Sequence, residues 1–286
     1  MFMKPDQHAV DALVRMALAE DVPWGDITSE TVVPEHSRIS AELVAREAGV
    51  LCGDDVFSSA MTQAGLVTVQ FLRNDGEAFS AGDVLATVDG PARSILRAER
   101  VALNFVQHLS AIASLTAKYV AETAGSKARI VDTRKTTPGL RLMERYAVRC
   151  GGGHNHRFSL SDAVLVKDNH IAALKTAGRE ELTQKLRSVF ASLPHTSHVE
   201  VEVDRLDQIE PVLAAGTHTI MLDNFSLEDL RAGVQQIAGR ALVEASGGVS
   251  LERVRDIAAT GVDLISVGAL THSVRSLDLG LDIANC

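Results

Sequence analysis

Aromatic residues make up only 4% of this 286-residue chain, too few for the rows of stacked rings that hold single-stranded nucleic acid. Positive charge is also short: 28 lysines and arginines face 37 aspartates and glutamates, a formal net charge of −9. A binder of phosphate backbones carries a basic face, so no nucleic-acid partner is expected. No apolar run approaches the roughly 18 residues of a membrane span, and no membrane partner is expected either. The start, Met1-Phe2-Met3-Lys4-Pro5-Asp6, lacks the apolar core of a signal peptide, which leads to the expectation of a cytoplasmic protein. The three cysteines Cys52, Cys150 and Cys286 are odd in number and far apart, which fits a reducing compartment. The spacing Cys150-x3-His154-x-His156 has the residue types of a zinc site, but the intervening Gly151-Gly152-Gly153 describes a flexible loop better than a ligand scaffold.

What the chain does have is one basic stretch. Between 129 and 175 nine basic residues stand against four acidic ones, a local +5, so everything outside that window sums to −14. Its centre is Val131-Asp132-Thr133-Arg134-Lys135-Thr136-Thr137-Pro138-Gly139-Leu140-Arg141, an apolar pair running into a polar loop. Rigid elements position such loops while their side chains stay free to meet a ligand. A positive island in an acidic chain points to a small anionic ligand. At 46% hydrophobic and 23% charged, the composition is otherwise that of an ordinary globular protein.

The first part of the chain reads as a small α+β layer. Residues 6–20 carry an amphipathic helical pattern, with Val10, Leu13, Val14, Ala17 and Leu18 on one face. Strand-like runs occur near 38–46, 66–72 and 83–88, punctuated by Gly49, Gly53, Asn74-Asp75-Gly76 and Ala81-Gly82-Asp83. From about 92 to 123 a long helical pattern runs through Val101, Phe105, Leu109, Ile112 and Leu115. The grammar then changes to alternating strand and helix. Six apolar runs, at 130–131, 163–166, 199–203, 219–222, 241–243 and 264–267, imply a parallel sheet.

The residues just past each run discriminate between the possible sheets. In order these are Asp132-Thr133-Arg134-Lys135, Lys167-Asp168-Asn169-His170, Glu202 to Asp204, Asp223-Asn224, Ser246-Gly247-Gly248 and Gly268-Ala269. A doubly wound sheet uses mainly its switch-point loops, whereas a βα barrel gathers every strand end at one mouth. Polar or glycine pairs at all six ends favour the barrel. The last two loops are glycine-rich and run into helix starts, which suits a phosphate held by backbone N–H groups.

Each candidate has a plainer reading. Arg134 and Lys135 alone would be a solvated turn, but Lys167, Arg157 and His156 fall at the same expected face. Lys167 beside Asp168 would be an internal ion pair. His156-Arg157 comes after three glycines that let the backbone approach a ligand closely. Glu202 and Asp223 end neighbouring strands; they either pair the lysines or bind ribose hydroxyls and a Mg²⁺ carried in by a polyphosphate. His154, His170 and His272 are read as structural, and Arg100 by pattern alone is a surface helix residue.

Six segments in the right order carry a resemblance: DTRKTTPGLR at 132–141, GGGHNHR at 151–157, KDNH at 167–170, EASGG at 244–248, ED with GDIT at 20–28, and ERVALN at 99–104. Together these closely resemble quinolinate phosphoribosyltransferase, over nearly the whole chain. The resemblance implies an α/β fold: an N-terminal α/β sandwich domain with a long connecting helix over 1–115, an incomplete six- or seven-stranded α/β barrel over 116–270, and a helical tail over 271–286 packing back on the first domain. It implies a homodimer in which Arg100 reaches the neighbouring subunit's site. Thr133, Arg134, Lys135, His156, Arg157 and Lys167 would surround quinolinate and the phosphates. Glu202 and Asp223 would meet the ribose and its Mg²⁺, while Ser246, Gly247, Gly248, Gly268 and Ala269 would hold the 5-phosphate. Lys135, Lys167, Glu202 and Asp223 would be the catalytic set. The implied reaction joins quinolinate to phosphoribosyl pyrophosphate and releases nicotinate mononucleotide, CO₂ and pyrophosphate. Where the family more often has Gly and Thr, this chain has Ala111 and Ser114. Two other readings stay open: a relative acting on nicotinate or another heterocycle, and a non-catalytic phosphate-binding or regulatory barrel.

Overall fold

Strand β1 (Arg38–Ala45) is built by alternation: Ala41, Leu43 and Ala45 are buried on one face while the intervening side chains are more accessible. In a computed structural model, which describes residues 4–174 and 178–284, it lies in a four-stranded antiparallel sheet. Lys175 of the basic stretch and Cys286 lie outside the described residues. With β2 (Gly49–Val50), β3 (Thr68–Phe71), β4 (Ala78–Phe79) and β5 (Val84–Pro91) in place, β1 pairs with β5, and β5 with β3; β2 and β4 form a separate two-stranded pair. Helices Gln7–Asp21 and Asp54–Ala64 pack on each other, and Phe57 meets Phe71 edge to face with ring centres 5.7 Å apart. The second of these helices is not legible as one in the sequence. Its two buried pairs, Val56-Phe57 and Ala60-Met61, are four residues apart, a short signal bounded by Gly53 and Gly65.

The chain divides into two compact units. The first comprises residues up to 117, 137–152 and the chain from 273 onwards; the second comprises 118–136 and 153–272. The expected barrel runs unbroken from 116, whereas 137–152 folds with the first unit. Helix Arg141–Cys150 buries Met143, Tyr146, Ala147 and Val148 there, and His108 is bonded to the fully buried Glu144 at 2.9 Å. Ala111 is buried in the long helix Ala92–Glu122, and Ser114 accepts a 2.7 Å hydrogen bond from the Val50 N–H. Both departures from the family pattern are therefore packed and, for the serine, bonded.

The helical tail expected over 271–286 is a correction. Helix Ala269–His272 is a single turn, and Leu279–Ile283 is a strand that pairs antiparallel with β1, Ala41 opposite Ile283 and Ala45 opposite Leu279. An uncovered strand edge leaves a row of N–H and C=O groups without partners, and a five-residue run with Leu279, Leu281 and Ile283 in period two is suited to fill it.

The second unit holds six parallel strands: β6 (Arg129–Val131), β7 (Val164–Val166), β8 (Val199–Val203), β9 (Thr219–Asp223), β10 (Leu242–Ser246) and β11 (Leu264–Ser266); the strand from 279 is β12. Their order is β6-β11-β10-β9-β8-β7. β6 and β7, the two ends of that order, are not bonded to each other, which makes this an incomplete α/β barrel. The short strands are joined by helices such as Leu227–Ile237, capped by the Ser226 side chain accepting from Asp229 N–H. Among the described residues no helix is long and apolar enough to cross a membrane.

Gly151 ends the helix at Cys150 where backbone meets backbone. A Cβ there would lie 2.3 Å from the Ala113 carbonyl oxygen and 2.6 Å from Thr116 Cβ. Neither neighbour is a flexible side-chain end, so Gly151→Ala is expected to cost about 1–3 kcal/mol of stability, read as a lower midpoint in denaturant unfolding.

Candidate active site

Period two along parallel strands builds the site. Residues Leu165 and Lys167, Glu202, Met221 and Asp223, Ser246 and Ser266 lie on the strands or just past their ends and line one cavity of about 540 Å³. Two residues deeper on β8 and β10 stand Glu200 and Glu244, both buried. Between adjacent strands the register places Glu202 beside Met221 and Ser246 beside Asp223, so the rim and the row below are set by the sheet itself. The loop after β6 adds Thr133, Arg134 and Lys135, and the loop after the glycine run adds His156 and Arg157.

The cations are held by different kinds of contact. Lys167 is bonded to Glu202, and its backbone N–H is accepted by His170 Nδ1 at 2.8 Å, which gives His170 the structural place expected of it. Arg157 donates to the Ala163 carbonyl at 3.0 Å. Partial burial, and then the charge of Arg134, pull the Arg157 guanidinium below its ordinary value, so two arginines face one another. Arg134 Nε is buried without a hydrogen-bond partner. A buried donor left unpaired costs about 1–3 kcal/mol, and an anionic ligand would remove that cost.

The loops around Lys135 and Gly247 are fixed by backbone contacts. The Lys135 N–H donates to Thr133 Oγ1 at 3.1 Å, and its carbonyl accepts from Thr271 Oγ1 at 2.7 Å. A Cβ on Gly268 would come within 3.2 Å of the Lys135 side chain, so Gly268 and Ala269 adjoin this loop without lining the cavity. Gly247 has φ +89°, and a Cβ there would lie 2.1 Å from Asn224 Oδ1. Only glycine fits that approach. Asn224 itself holds a positive φ of 59° while its side chain donates to Asp223 at 2.7 Å.

Beneath the rim lies an acidic layer that sequence reasoning missed. His156 Nε2 is 2.9 Å from Glu200 and 3.7 Å from Glu244; Ser266 Oγ donates to Glu244. His156 Nδ1 accepts the Arg157 N–H at 2.8 Å, and the His156 backbone N–H donates to the fully buried Asp132 at 2.7 Å, with Asn155 donating to the same carboxylate. Burial opposes charge on His156, but the bonded Glu200, then Glu244 and Asp132, hold its pKa above the ordinary value. Burial, and then the charge of Glu200, push Glu244 up to about 8. The signal was present as Glu200-x-Glu202 on one strand, where alternate residues share a face. Glu244 therefore binds a proton in the folded state that it loses near pH 4.5 when unfolded. Wild-type stability should fall relative to Glu244→Gln as pH rises from about 4.5 towards about 8, with a slope approaching ~1.4 kcal/mol per pH unit; parallel stability curves from denaturant unfolding across that range would contradict it.

Of the residues singled out from sequence, Thr133, Arg134, Lys135, His156, Arg157, Lys167, Glu202, Asp223, Ser246, Gly247 and Gly248 line the one cavity. Arg100 does not; it is exposed on the long helix, in the first unit. Chemically, the mouth offers guanidinium forks for planar carboxylates, ammonium groups for phosphate and a pair of hard oxygen donors at Glu202 and Asp223.

Known proteins with similar chains agree with this chemistry. The model of the quinolinate phosphoribosyl transferase N-terminal domain matches residues 26–110, and that of the C-terminal domain matches 112–282. The chain is 45% identical over 277 residues to a nicotinate-nucleotide pyrophosphorylase (carboxylating) of Mycobacterium leprae, covering 94% of this chain and 95% of that one. It is 38% identical to a quinolinate phosphoribosyltransferase (decarboxylating) of Nicotiana tabacum over 98% of this chain and 85% of that protein. Among solved structures, the nicotinate-nucleotide pyrophosphorylase of Francisella tularensis superposes with a TM-score of 0.90 at 39% identity, over 98% of each chain. With a mouth of this charge and both domain models matched, the chain belongs to the quinolinate phosphoribosyltransferase family.

Proposed function

We propose that this chain transfers the phosphoribosyl group of phosphoribosyl pyrophosphate to quinolinate with loss of CO₂, giving nicotinate mononucleotide and pyrophosphate in NAD biosynthesis. The observation that carries the reading is the concentration of Arg134, Lys135, Arg157 and Lys167 on one cavity of a chain whose net charge is −9. Both substrates are multiply anionic, and each charge-assisted hydrogen bond contributes roughly 1.5–3 kcal/mol, so several are needed to strip water from a dicarboxylate.

In this reading Arg134 and Arg157 hold the two carboxylates and His156 donates to one of them. Lys135 and Lys167 meet the phosphates, and the backbone at Ser246, Gly247 and Gly248 cradles the 5-phosphate. Glu202 and Asp223 flank the ribose, where positive charge develops as pyrophosphate departs. Glu202 and Asp223 also fit Mg²⁺: they are hard oxygen donors at the ends of adjacent strands, and Mg²⁺ is commonly held by one or two carboxylates together with substrate phosphates. When bound, the ion would neutralise the leaving pyrophosphate. Once the ring nitrogen carries ribose, it becomes a cationic electron sink, and the neighbouring carboxylate leaves as CO₂. No side-chain nucleophile is required. We further assign a homodimer, in which Arg100 of one subunit reaches the other's site, and a cytoplasmic location.

Purified protein given quinolinate, phosphoribosyl pyrophosphate and Mg²⁺ should form nicotinate mononucleotide, and should form none from nicotinate. Product from nicotinate alone would transfer the assignment to another heterocycle, and binding without product would make the barrel a binding module. Arg134→Ala should keep the fold, as read by circular dichroism, and lose on the order of 100-fold or more in kcat/KM for quinolinate, since about 2.7 kcal/mol of lost stabilisation is that factor. Wild-type turnover in the folded variant would refute this placement.

A further inference from the structure

In the first unit, two cysteines and an aspartate to which the proposed reaction gives no role converge from three separate segments. Cys52 comes just after β2, Asp75 sits in the turn before β4, and Cys150 ends the helix from Arg141. Their sulfur and carboxylate atoms all lie within 4.8 Å of one another. Cys52 and Cys150 are free thiols, 0% and 4% exposed. Two of the three segments are pinned: the Cys52 N–H donates to Ser110 Oγ at 3.0 Å, the Gly76 N–H donates to the Leu51 carbonyl at 2.8 Å, and Asp75 Oδ1 accepts from Gly53 and Asp54 N–H at 2.9 and 3.2 Å.

The other oxygen, Asp75 Oδ2, is buried with no hydrogen-bond partner. Two buried thiols alone would be small apolar fillers. A carboxylate beside them is not explained that way, because a buried charge needs a cation or donors, and the side-chain donor that acts on Asp75 is the Tyr146 hydroxyl. Burial and the neighbouring Asp54 charge push Asp75 up to about 6, and burial pushes the Cys52 thiol up. The buried Tyr146 hydroxyl lies close enough to interact with Asp75 and Cys150.

We propose that Cys52, Cys150 and Asp75 form a binding site for one divalent cation of the zinc class, held by two thiolates and Asp75 Oδ2. Tetrahedral bonds of about 2.3 Å to sulfur and 2.0–2.2 Å to oxygen bring ligand atoms to roughly 3.5–4 Å apart, which needs only a small contraction of the cluster. The fourth position falls to water, beside the Tyr146 hydroxyl. Binding takes one proton from each thiol and releases both to solvent; no electron moves. The ion would tie the Cys52 loop and the Asp75 turn to the end of a helix whose preceding loop carries Arg134 and Lys135.

The test uses the full chain, stripped with chelator and kept reduced with a phosphine, and Co²⁺ as the probe, added to folded protein and during refolding. The expected result is a thiolate-to-cobalt charge-transfer band that saturates at one ion per chain, is displaced by Zn²⁺, and is accompanied by two protons released per ion. Cys52→Ser and Cys150→Ser should each abolish the band, and Cys286→Ser should leave it. Outer-shell partners alone are worth 10–100-fold in affinity, so Asp75→Asn should weaken binding at least about tenfold. No band in the wild type by either route would overturn the proposal, as would a band that survives in the Cys52→Ser, Cys150→Ser double variant. The wild-type arm decides alone if a variant does not fold.

Discussion

Crowding of like charge is the constraint on which the site depends. Arg134 and Arg157 act on each other, Lys135 and Lys167 stand at the same rim, and Arg134 Nε is buried without a partner. Such a rim is tolerable in a folded chain only if carboxylates lie nearby without cancelling it. The sheet supplies them in two rows: Glu202 and Asp223 at the rim, Glu200 and Glu244 below. His156 stands over the lower row and Lys167 is bonded to the upper. The balance leaves Arg134 Nε without a hydrogen-bond partner, and a multiply anionic ligand completes what the protein does not.

That arrangement is a consequence of topology. Parallel strands put all their carboxyl ends on one side, so six short strands deliver six polar ends to one mouth. Period two then decides which side chains look inward, which is why Glu202 lines the cavity while Glu200, two residues earlier, is buried beside His156. Backbone close approach does the rest at Gly247, where the space a Cβ would take is already filled by Asn224.

Most of the second unit was legible because each buried strand is a short apolar run and each run ends in a recognisable polar pair. The cavity residues were readable from those ends. Other features were not legible, each for its own reason. Glu200 and Glu244 sit inside apolar strands, so they read as strand residues, and only their depth in the fold makes them partners of His156. Strand β12 was expected to be helical on the resemblance alone; its five residues hold too little periodicity to say otherwise, and the open edge of β1 decides instead. Helix Arg141–Cys150 continues the basic loop in sequence, yet its buried face belongs with the first unit, a choice made by packing against Ala113 and Thr116. Arg100 has no local signal at all, and its proposed role rests on the family.

The central claim is that the crowded cations of the rim select a dicarboxylate. Calorimetric titration of the unmodified protein with quinolinate and, separately, with nicotinate tests it without reference to turnover. The account predicts that quinolinate binds at least about tenfold tighter, the equivalent of ~1.4 kcal/mol, with an advantage that shrinks as ionic strength rises. Equal affinities, insensitive to salt, would contradict it.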